Sequence, residues 1–278
     1  MRYVGGGANE QGCIFCSRWA ATDDSASLIL HRGQRSFAIL NLYPYNTGHL
    51  MQVPVDHVAS PEDLSPAAML ELATVLPLLL RAARRALSCH GFNVGMNLGA
   101  VAGAGIADHL HQHIVPRWQG DANFMPIIAG TMVLPELVPA TYGKLRAEVA
   151  RELGHGDEVV CLGIVTTARG ANWIARRADG SGRLPVARAM PDEPLWQAAT
   201  RELRALTGGV ADILGWAGDN RADNTAPTAL VCRITGVDPT AEAGPTNWAA
   251  AVEAAAGPEG IIVAAGLEFW PVAAKGEV

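Results

Sequence analysis

Three histidines alternate with other residues near the middle of the chain, at His109, His111 and His113. Alternate side chains of a β-strand point to the same face of a sheet, so this spacing predicts three imidazoles directed into one site. Imidazole titrates near neutral pH, coordinates metals and can act as a nucleophile. The pattern therefore indicates phosphorus chemistry or a metal site.

A second pattern of chemical interest is the pair Cys13 and Cys16, separated by two residues. The chain has five cysteines, and in a cytoplasmic protein this spacing favours metal or redox chemistry over a disulfide framework. Two thiolates need two further ligands to complete a tetrahedral zinc site. The alternative is that both thiols are reduced and hold no metal.

Composition limits the classes of function. The chain has 278 residues, of which 49% are hydrophobic, and its formal net charge is −6. This charge argues against binding to a nucleic acid polymer, which requires a basic surface. We find no apolar run that looks long enough to cross a membrane and no signal peptide at the start, so we expect a cytoplasmic protein without a membrane partner.

Apolar patterning and turn residues predict the elements that position these side chains. Serine is a favoured N-cap and proline a favoured first helical residue, so Ser65-Pro66 predicts a helix start. A glycine-rich loop over 99–105 leads into the strand predicted for the histidines. Further strands are predicted over 27–40, 49–58 and 92–98, and a further helix over 139–153.

The run Gly154-His155-Gly156-Asp157 predicts a boundary between a first domain over 1–154 and a second over 155–278. In the second domain, strands are predicted over 159–167, 173–176, 229–234 and 260–269, and helices over 193–206 and 248–256.

With these elements in place, residues 10–150 resemble the histidine-triad (HIT) family of nucleotide hydrolases and transferases. The matching segments are Cys13–Cys16, Gly48–His57 and His109–His113. The continuation Val115–Met125 is similar to the branch that contains diadenosine-tetraphosphate phosphorylases and related hydrolases. The resemblance implies an α+β fold in which helices pack on an antiparallel sheet.

The resemblance also implies a role for each polar residue. His111 is expected to attack an α-phosphorus, His113 to donate to phosphate oxygens, and His49 to support the strand from behind. A structural zinc is expected on Cys13, Cys16, His57 and His109. Expected substrate contacts are the side chains of Asn41, Asn97 and Asn123 and the backbone amides around Gly103 and Gly105.

Some of these expectations have alternatives. Asn97 and Asn123 are also typical turn residues, and Arg117 and Trp118 could simply clamp the strand end. The loop over 102–106 lacks the glutamine and hydroxyl residues that many HIT proteins carry before the triad. The identity of the leaving group is therefore open.

The second half resembles a degenerate Nudix domain with an α/β fold. Arg201 and Glu202 match the start of the Nudix helix motif, whereas Ala205 and Leu206 stand where two further carboxylates are expected. One carboxylate cannot hold a catalytic magnesium cluster, so we expect no Nudix hydrolysis. The alternative is an ordinary α+β domain.

The function predicted from the sequence is an enzyme that cleaves a dinucleoside polyphosphate or nucleotide conjugate at the α-phosphorus and releases a nucleoside monophosphate such as AMP. Phosphorolysis of diadenosine tetraphosphate and hydrolysis of an NAD-like dinucleotide are alternatives within this class. A nucleotide-binding scaffold is the non-enzymatic alternative. The expected partner is a small nucleotide, and a homodimer is left open.

Overall fold

The computed structural model describes residues 12–121, 136–217, 229–240, 248–256, 259 and 262–267. The chain divides into two compact units, the first over 1–84 and 88–135 and the second over 85–87 and 136–278. This division falls earlier than the boundary expected at residue 154. The reason is the helix Val138–Ala150, which packs within the second unit so closely that a Cβ on Gly143 would lie 2.6 Å from the carbonyl oxygen of Gly215.

The first unit is built on an antiparallel sheet whose described strands follow the order β1-β2-β3-β5-β4. The strands are β1 (Ile29–Arg32), β2 (Ser36–Leu40), β3 (Leu50–Pro54), β4 (Gly91–Met96) and β5 (Gln112–Arg117). The register places Met51 opposite His113 on β5. β5 begins at Gln112, so His109 and His111 lie just before the strand rather than within it, which corrects the expectation of one strand carrying all three histidines.

Helices complete the first unit. α1 (Ile14–Ala20) places Phe15 in an apolar cluster with Phe37 and Val53. α2 (Asp24–Ser27) precedes β1. α3 (Pro66–Leu87) begins as predicted, since the Ser65 side chain accepts a hydrogen bond from the Ala68 amide.

α3 is also long and apolar enough to cross a membrane by length and composition, contrary to the expectation of no such run. Within the described residues it is the helix that meets this criterion, and 28% of its most apolar window is buried. Its Ala68 and Leu72 pack in a cluster with Leu64 and Leu110. Core helices of soluble proteins meet the same criterion, so this finding by itself places no helix in a membrane.

The second unit contains a mixed sheet, with described strands in the order β11-β7-β6-β10-β9 and with β8 paired to β6. β6 and β10 are parallel and the other pairs are antiparallel. The strands are β6 (Glu158–Thr166), β7 (Asn172–Ala175), β8 (Val186–Arg188), β9 (Val210–Ala217), β10 (Ala229–Thr235) and β11 (Trp248–Ala250). The helices are α4 (Val138–Ala150), α5 (Leu195–Thr207) and α6 (Ala251–Ala255).

Two predicted elements of the second unit differ from the structure, one in where it begins and one in its type, since the helix predicted over 248–256 is found as α6 (Ala251–Ala255). The helix predicted over 248–256 begins as strand β11, and the strand predicted over 260–269 contains a helix over 262–267. Ile262 and Val263 are fully buried in the core. A short, fully buried apolar run has no periodicity that separates strand from helix, which explains the second error. The overall α+β class is confirmed.

Candidate active site and metal centre

The first cluster of functional side chains joins the start of α1 to the segment before β5. The Cys13 Sγ lies 3.2 Å from the His109 Nδ1, and the Cys16 Sγ lies 3.3 Å from the His57 Nδ1. The four ligand atoms all lie within 4.8 Å of one another. Zinc binds thiolates at about 2.3 Å and imidazole nitrogens at about 2.0–2.1 Å, so a set this compact fits a tetrahedral ion.

Hydrogen bonding orients His109 for this role. Its Nε2 lies 2.9 Å from the carbonyl oxygen of Pro54, which can only accept, so Nε2 carries the proton. In the neutral ring, the Nδ1 lone pair then faces the two thiols. Burial, and next the Cys13 side chain, raise the pKa of Cys16, so a cation is needed to hold this thiol as a thiolate.

His111 carries its proton on the other ring nitrogen, Nδ1. Its Nδ1 lies 2.9 Å from the carbonyl oxygen of His109, so Nδ1–H donates and the Nε2 lone pair is free of a proton. The residue is 6% exposed, and burial lowers its pKa against the opposing effect of that carbonyl. A neutral, buried imidazole with an unprotonated Nε2 is a competent nucleophile.

His49 and His113 form a hydrogen-bonded pair whose proton positions follow from the donors that reach His49. The Tyr45 N–H donates to the His49 Nδ1 at 3.1 Å, so His49 carries its proton on Nε2. That Nε2–H donates to the His113 Nδ1 at 2.9 Å. His113 therefore carries its own proton on Nε2, where it is available as a donor.

Both rings of this pair are held neutral. Burial, followed by the charges of His113 and His111, lowers the pKa of His49 to about 3. Burial, followed by the charge of His111, lowers the pKa of His113 to about 4. The centroids of the His111 and His113 rings are 4.8 Å apart, so the nucleophile candidate and the donor candidate share one site.

Two of the predicted substrate contacts, Asn41 and Asn97, lie near the histidines in different ways. Asn41 is buried beside the pair, and its side-chain amide donates to the His49 Nδ1 at 3.2 Å. Asn97 directly follows Met96, which pairs with Gln112 next to His111. The role of each in binding stays a prediction.

Two more of these contacts belong to the glycine-rich loop. The Gly103 N–H donates to the Ala100 carbonyl at 3.1 Å, so this amide is used within its own turn rather than left for a phosphate. Gly105 is exposed, and Asn123 lies outside the described residues.

Sequence reasoning missed a polar network at the other end of β5. Arg117 donates to both oxygens of Asp121, from Nε at 2.7 Å and from Nη2 at 2.6 Å. Asp121 also accepts from the Asn46 side chain at 2.9 Å. The signal available in the sequence was the even spacing of four residues from His113 to Arg117, which puts both side chains on one face of the strand.

The second unit carries a separate cavity of about 430 Å³, bordered by Glu158, Arg177 and Glu202. Leu206, at a position where the Nudix pattern expects a carboxylate, also lines it. Arg201 is directed elsewhere, since its guanidinium donates to Glu193 at 2.9 Å and 3.0 Å. The Nudix-like character of this unit stays a prediction.

Comparison with known proteins agrees with the geometry of the first unit. A family model described as HIT domain matches residues 23–120. Two Mycobacterium tuberculosis proteins named AP-4-A phosphorylase are each 47% identical over 129 residues, which is 46% of this chain and 66% of theirs. This chain therefore spans just under two thirds of the length of these relatives.

More distant relatives extend the comparison. An uncharacterised HIT-like protein of Saccharolobus solfataricus is 31% identical over 113 residues, covering 41% of this chain and 79% of its own length. The asymmetrical bis(5'-nucleosyl)-tetraphosphatase of Schizosaccharomyces pombe is 30% identical over 95 residues, covering 34% of this chain and 52% of its own. Among solved structures, a zinc-bound histidine triad family protein from Mycobacterium smegmatis is 26% identical, covers 50% of this chain and 94% of its own, and has a TM-score of 0.42.

Proposed function

Because the chain belongs to the HIT family, we propose that its first unit cleaves a dinucleoside polyphosphate at the α-phosphorus through a nucleotidyl-His111 intermediate. The observation that carries this proposal is the unprotonated Nε2 of His111, which is fixed by the hydrogen bond from Nδ1 to the His109 carbonyl at 2.9 Å. The names of the relatives support nucleotides as the substrate class.

In the first step, the His111 Nε2 lone pair forms a bond to the α-phosphorus. The bond from phosphorus to the bridging oxygen breaks, and the leaving nucleotide takes that oxygen and its electron pair. The imidazole becomes positively charged, and the hydrogen bond from Nδ1–H to the His109 carbonyl stabilises this charge. The His113 Nε2–H donates to a phosphate oxygen as negative charge develops there.

In the second step, an acceptor oxygen forms a bond to phosphorus as the bond to His111 breaks, and the acceptor's proton is lost to solvent. Water gives a nucleoside monophosphate, and inorganic phosphate gives a nucleoside diphosphate. We favour phosphate as the acceptor because the relatives that share 47% identity with this chain are named phosphorylases. Diadenosine tetraphosphate would then give ADP and ATP.

Product analysis with diadenosine tetraphosphate, with and without inorganic phosphate, tests both steps. We expect ADP and ATP that depend on phosphate, and no turnover by His111→Asn. AMP and ATP at a rate independent of phosphate would establish hydrolysis in place of phosphorolysis. Full turnover by His111→Asn, or no product from wild type with either acceptor, would overturn the proposal.

We also propose that the four clustered ligands hold a structural zinc ion. Zinc would keep the Cys13 and Cys16 thiols ionised and would fix the segment that leads from His109 to His111. The supporting observation is that two sulfur and two nitrogen atoms lie within 4.8 Å of one another. Metal analysis of the purified chain tests it, and a protein that folds and turns over without bound metal would refute it.

A homodimer is proposed as the assembly of the first unit. β4 ends the described sheet, and its Asn93, Val94 and Gly95 are exposed. An edge strand of this kind presents unpaired backbone groups that a second copy can pair with. Light scattering on the intact chain measures the assembly, and a monomer at working concentration would refute the proposal.

A further inference from the structure

We propose that Asp121 is a positioning residue that holds the His49–His113 pair in its reactive geometry. The inference rests on the proposed function, in which His113 donates to the phosphate. Asp121 touches neither ring, and it acts through Asn46, a residue of the turn that holds His49.

The carboxylate of Asp121 is a centre of four hydrogen bonds. It accepts from Arg117 twice, from the Trp118 amide at 3.0 Å and from the Asn46 side chain at 2.9 Å. The Arg117 Nη1 also donates to Asn93 on β4 at 2.6 Å. The Arg117 guanidinium therefore bonds to Asp121 and Asn93 together, and these contacts hold Asp121 next to β4 and β5.

Asn46 connects Asp121 to His49, since it contacts both residues. Its side chain also donates to the Pro116 carbonyl at 3.2 Å, and its own carbonyl accepts the His49 N–H at 3.0 Å. The preceding residue, Tyr45, supplies the amide that sets the proton position on His49. Thus the residue that Asp121 holds lies beside two of the groups that fix His49, and Asn41 supplies the others from the end of β2.

The ladder between β3 and β5 cannot supply this constraint, although on the β2 side the Asn41 N–H still donates to the His49 carbonyl at 2.9 Å. Pairing between β3 and β5 reaches only Leu50 opposite Ile114, and the chain leaves the ladder at Gly48, which has a φ of +73°. The turn before Leu50 therefore depends on side chains to stay aligned with β5. The Asn46–Asp121 contact ties this turn, which leads into His49, to the end of β5, the strand that carries His113.

The alternative is an ordinary surface ion pair between Arg117 and Asp121, and such pairs contribute little. Two observations count against it. The Asp121 side chain is only 13% exposed, and half of its four contacts come from Trp118 and Asn46 rather than from Arg117.

The experiment compares Asp121→Ala and Asn46→Ala, separately and combined, with a matched control. Asp212→Ala removes another Asp–Arg contact, to Arg233 at 3.4 Å, which is far more exposed. Each intact chain is assayed for phosphate-dependent cleavage of diadenosine tetraphosphate. The hydrogen bond between His49 and His113 is followed through the ring nitrogen–proton NMR correlations of His49 without substrate, and melting temperature and zinc content are recorded.

We expect each single variant to lower kcat by roughly 10- to 100-fold with KM unchanged, because a displacement of about 1 Å in a catalytic group has this effect. The double variant should lose less than the product of the two single effects, since the two substitutions share the Asn46–Asp121 contact. NMR should show that the signal of the His49 Nε2 proton shifts and broadens as its hydrogen bond to His113 loosens, while the proton stays on Nε2 because Asn41 still donates to Nδ1. Asp121→Glu should recover part of the rate, and Asp212→Ala should match wild type.

Three results would overturn the inference. They are a kcat for both variants equal to that of Asp212→Ala, an increase confined to KM, and an unchanged signal of the His49 Nε2 proton. If Asp121→Ala does not fold, Asn46→Ala still removes the same contact from the other side. If wild type shows no turnover, the proposed function fails, but the NMR comparison still decides whether Asp121 positions the pair.

Discussion

The neutral state of His49 makes the stability of the first unit depend on pH in a predictable way. Burial lowers the pKa of His49 from its ordinary 6.5 to about 3, so between these values the unfolded chain binds a proton that the folded chain does not. The contribution is fully present above pH 6.5 and is lost as the pH falls towards 3. Acid therefore destabilises the fold through this residue.

The magnitude follows from proton linkage. Between pH 7 and pH 5, a histidine with these two pKa values lowers the free energy of unfolding by about 2 kcal/mol. The figure hardly depends on the depth of the shift, because any folded-state pKa below about 4 gives nearly the same loss over this interval. The side chain is fully buried, so solvent screening does not reduce the value.

The assay is urea unfolding of wild type and His49→Asn at pH 7 and pH 5, followed through hydrogen exchange of the β3 and β5 amides. We expect the variant to lose about 2 kcal/mol less than wild type between the two pH values. Excess zinc and a measured metal content keep the metal contribution equal in both proteins. Equal losses in wild type and variant would refute the assignment of His49 as a buried neutral ring.

Three further predictions concern the metal centre and the second unit. Cys16→Ala should abolish stoichiometric zinc binding and lower the melting temperature, as measured by metal analysis and calorimetry, and retained zinc would contradict the ligand set. Gly143→Ala should destabilise the second unit by about 1–3 kcal/mol in denaturant unfolding, because its Cβ would lie 2.6 Å from the Gly215 carbonyl oxygen, and an unchanged midpoint would show that the backbone yields. Glu202→Gln should leave diadenosine tetraphosphate cleavage unchanged, because one carboxylate with Ala205 and Leu206 beside it cannot hold a catalytic magnesium cluster, and a loss of turnover would contradict this.

Local chemistry made most of the first unit predictable. The Ser65 cap marked the start of α3 in the sequence, and the cysteine pair marked one half of the metal cluster. The three-residue strand β8 is too short to show an alternating pattern, and it was missed. The helix over 262–267 was misread for the related reason that its side chains are buried without a polar face.

The histidines show why spacing alone was insufficient. Alternation predicted a shared face, but β5 begins at Gln112, and the rings of His109 and His111 serve different neighbours. The Asp121 network was missed because Asn46 and Asp121 are 75 residues apart, and no periodic pattern records such a pairing.

The division of roles among the histidines comes largely from the backbone, with the Asn41 side chain as a second donor to His49. The Pro54 carbonyl leaves the Nδ1 of His109 for a metal, and the His109 carbonyl leaves the Nε2 of His111 for phosphorus. The Tyr45 amide and the Asn41 side chain set the proton on His49, and through it the proton on His113. Because the imidazoles are chemically identical, moving one of these backbone groups would change a role without changing any histidine. The turn that carries Tyr45 is the part that the β-ladder does not hold, and there the Asn46–Asp121 contact has its effect.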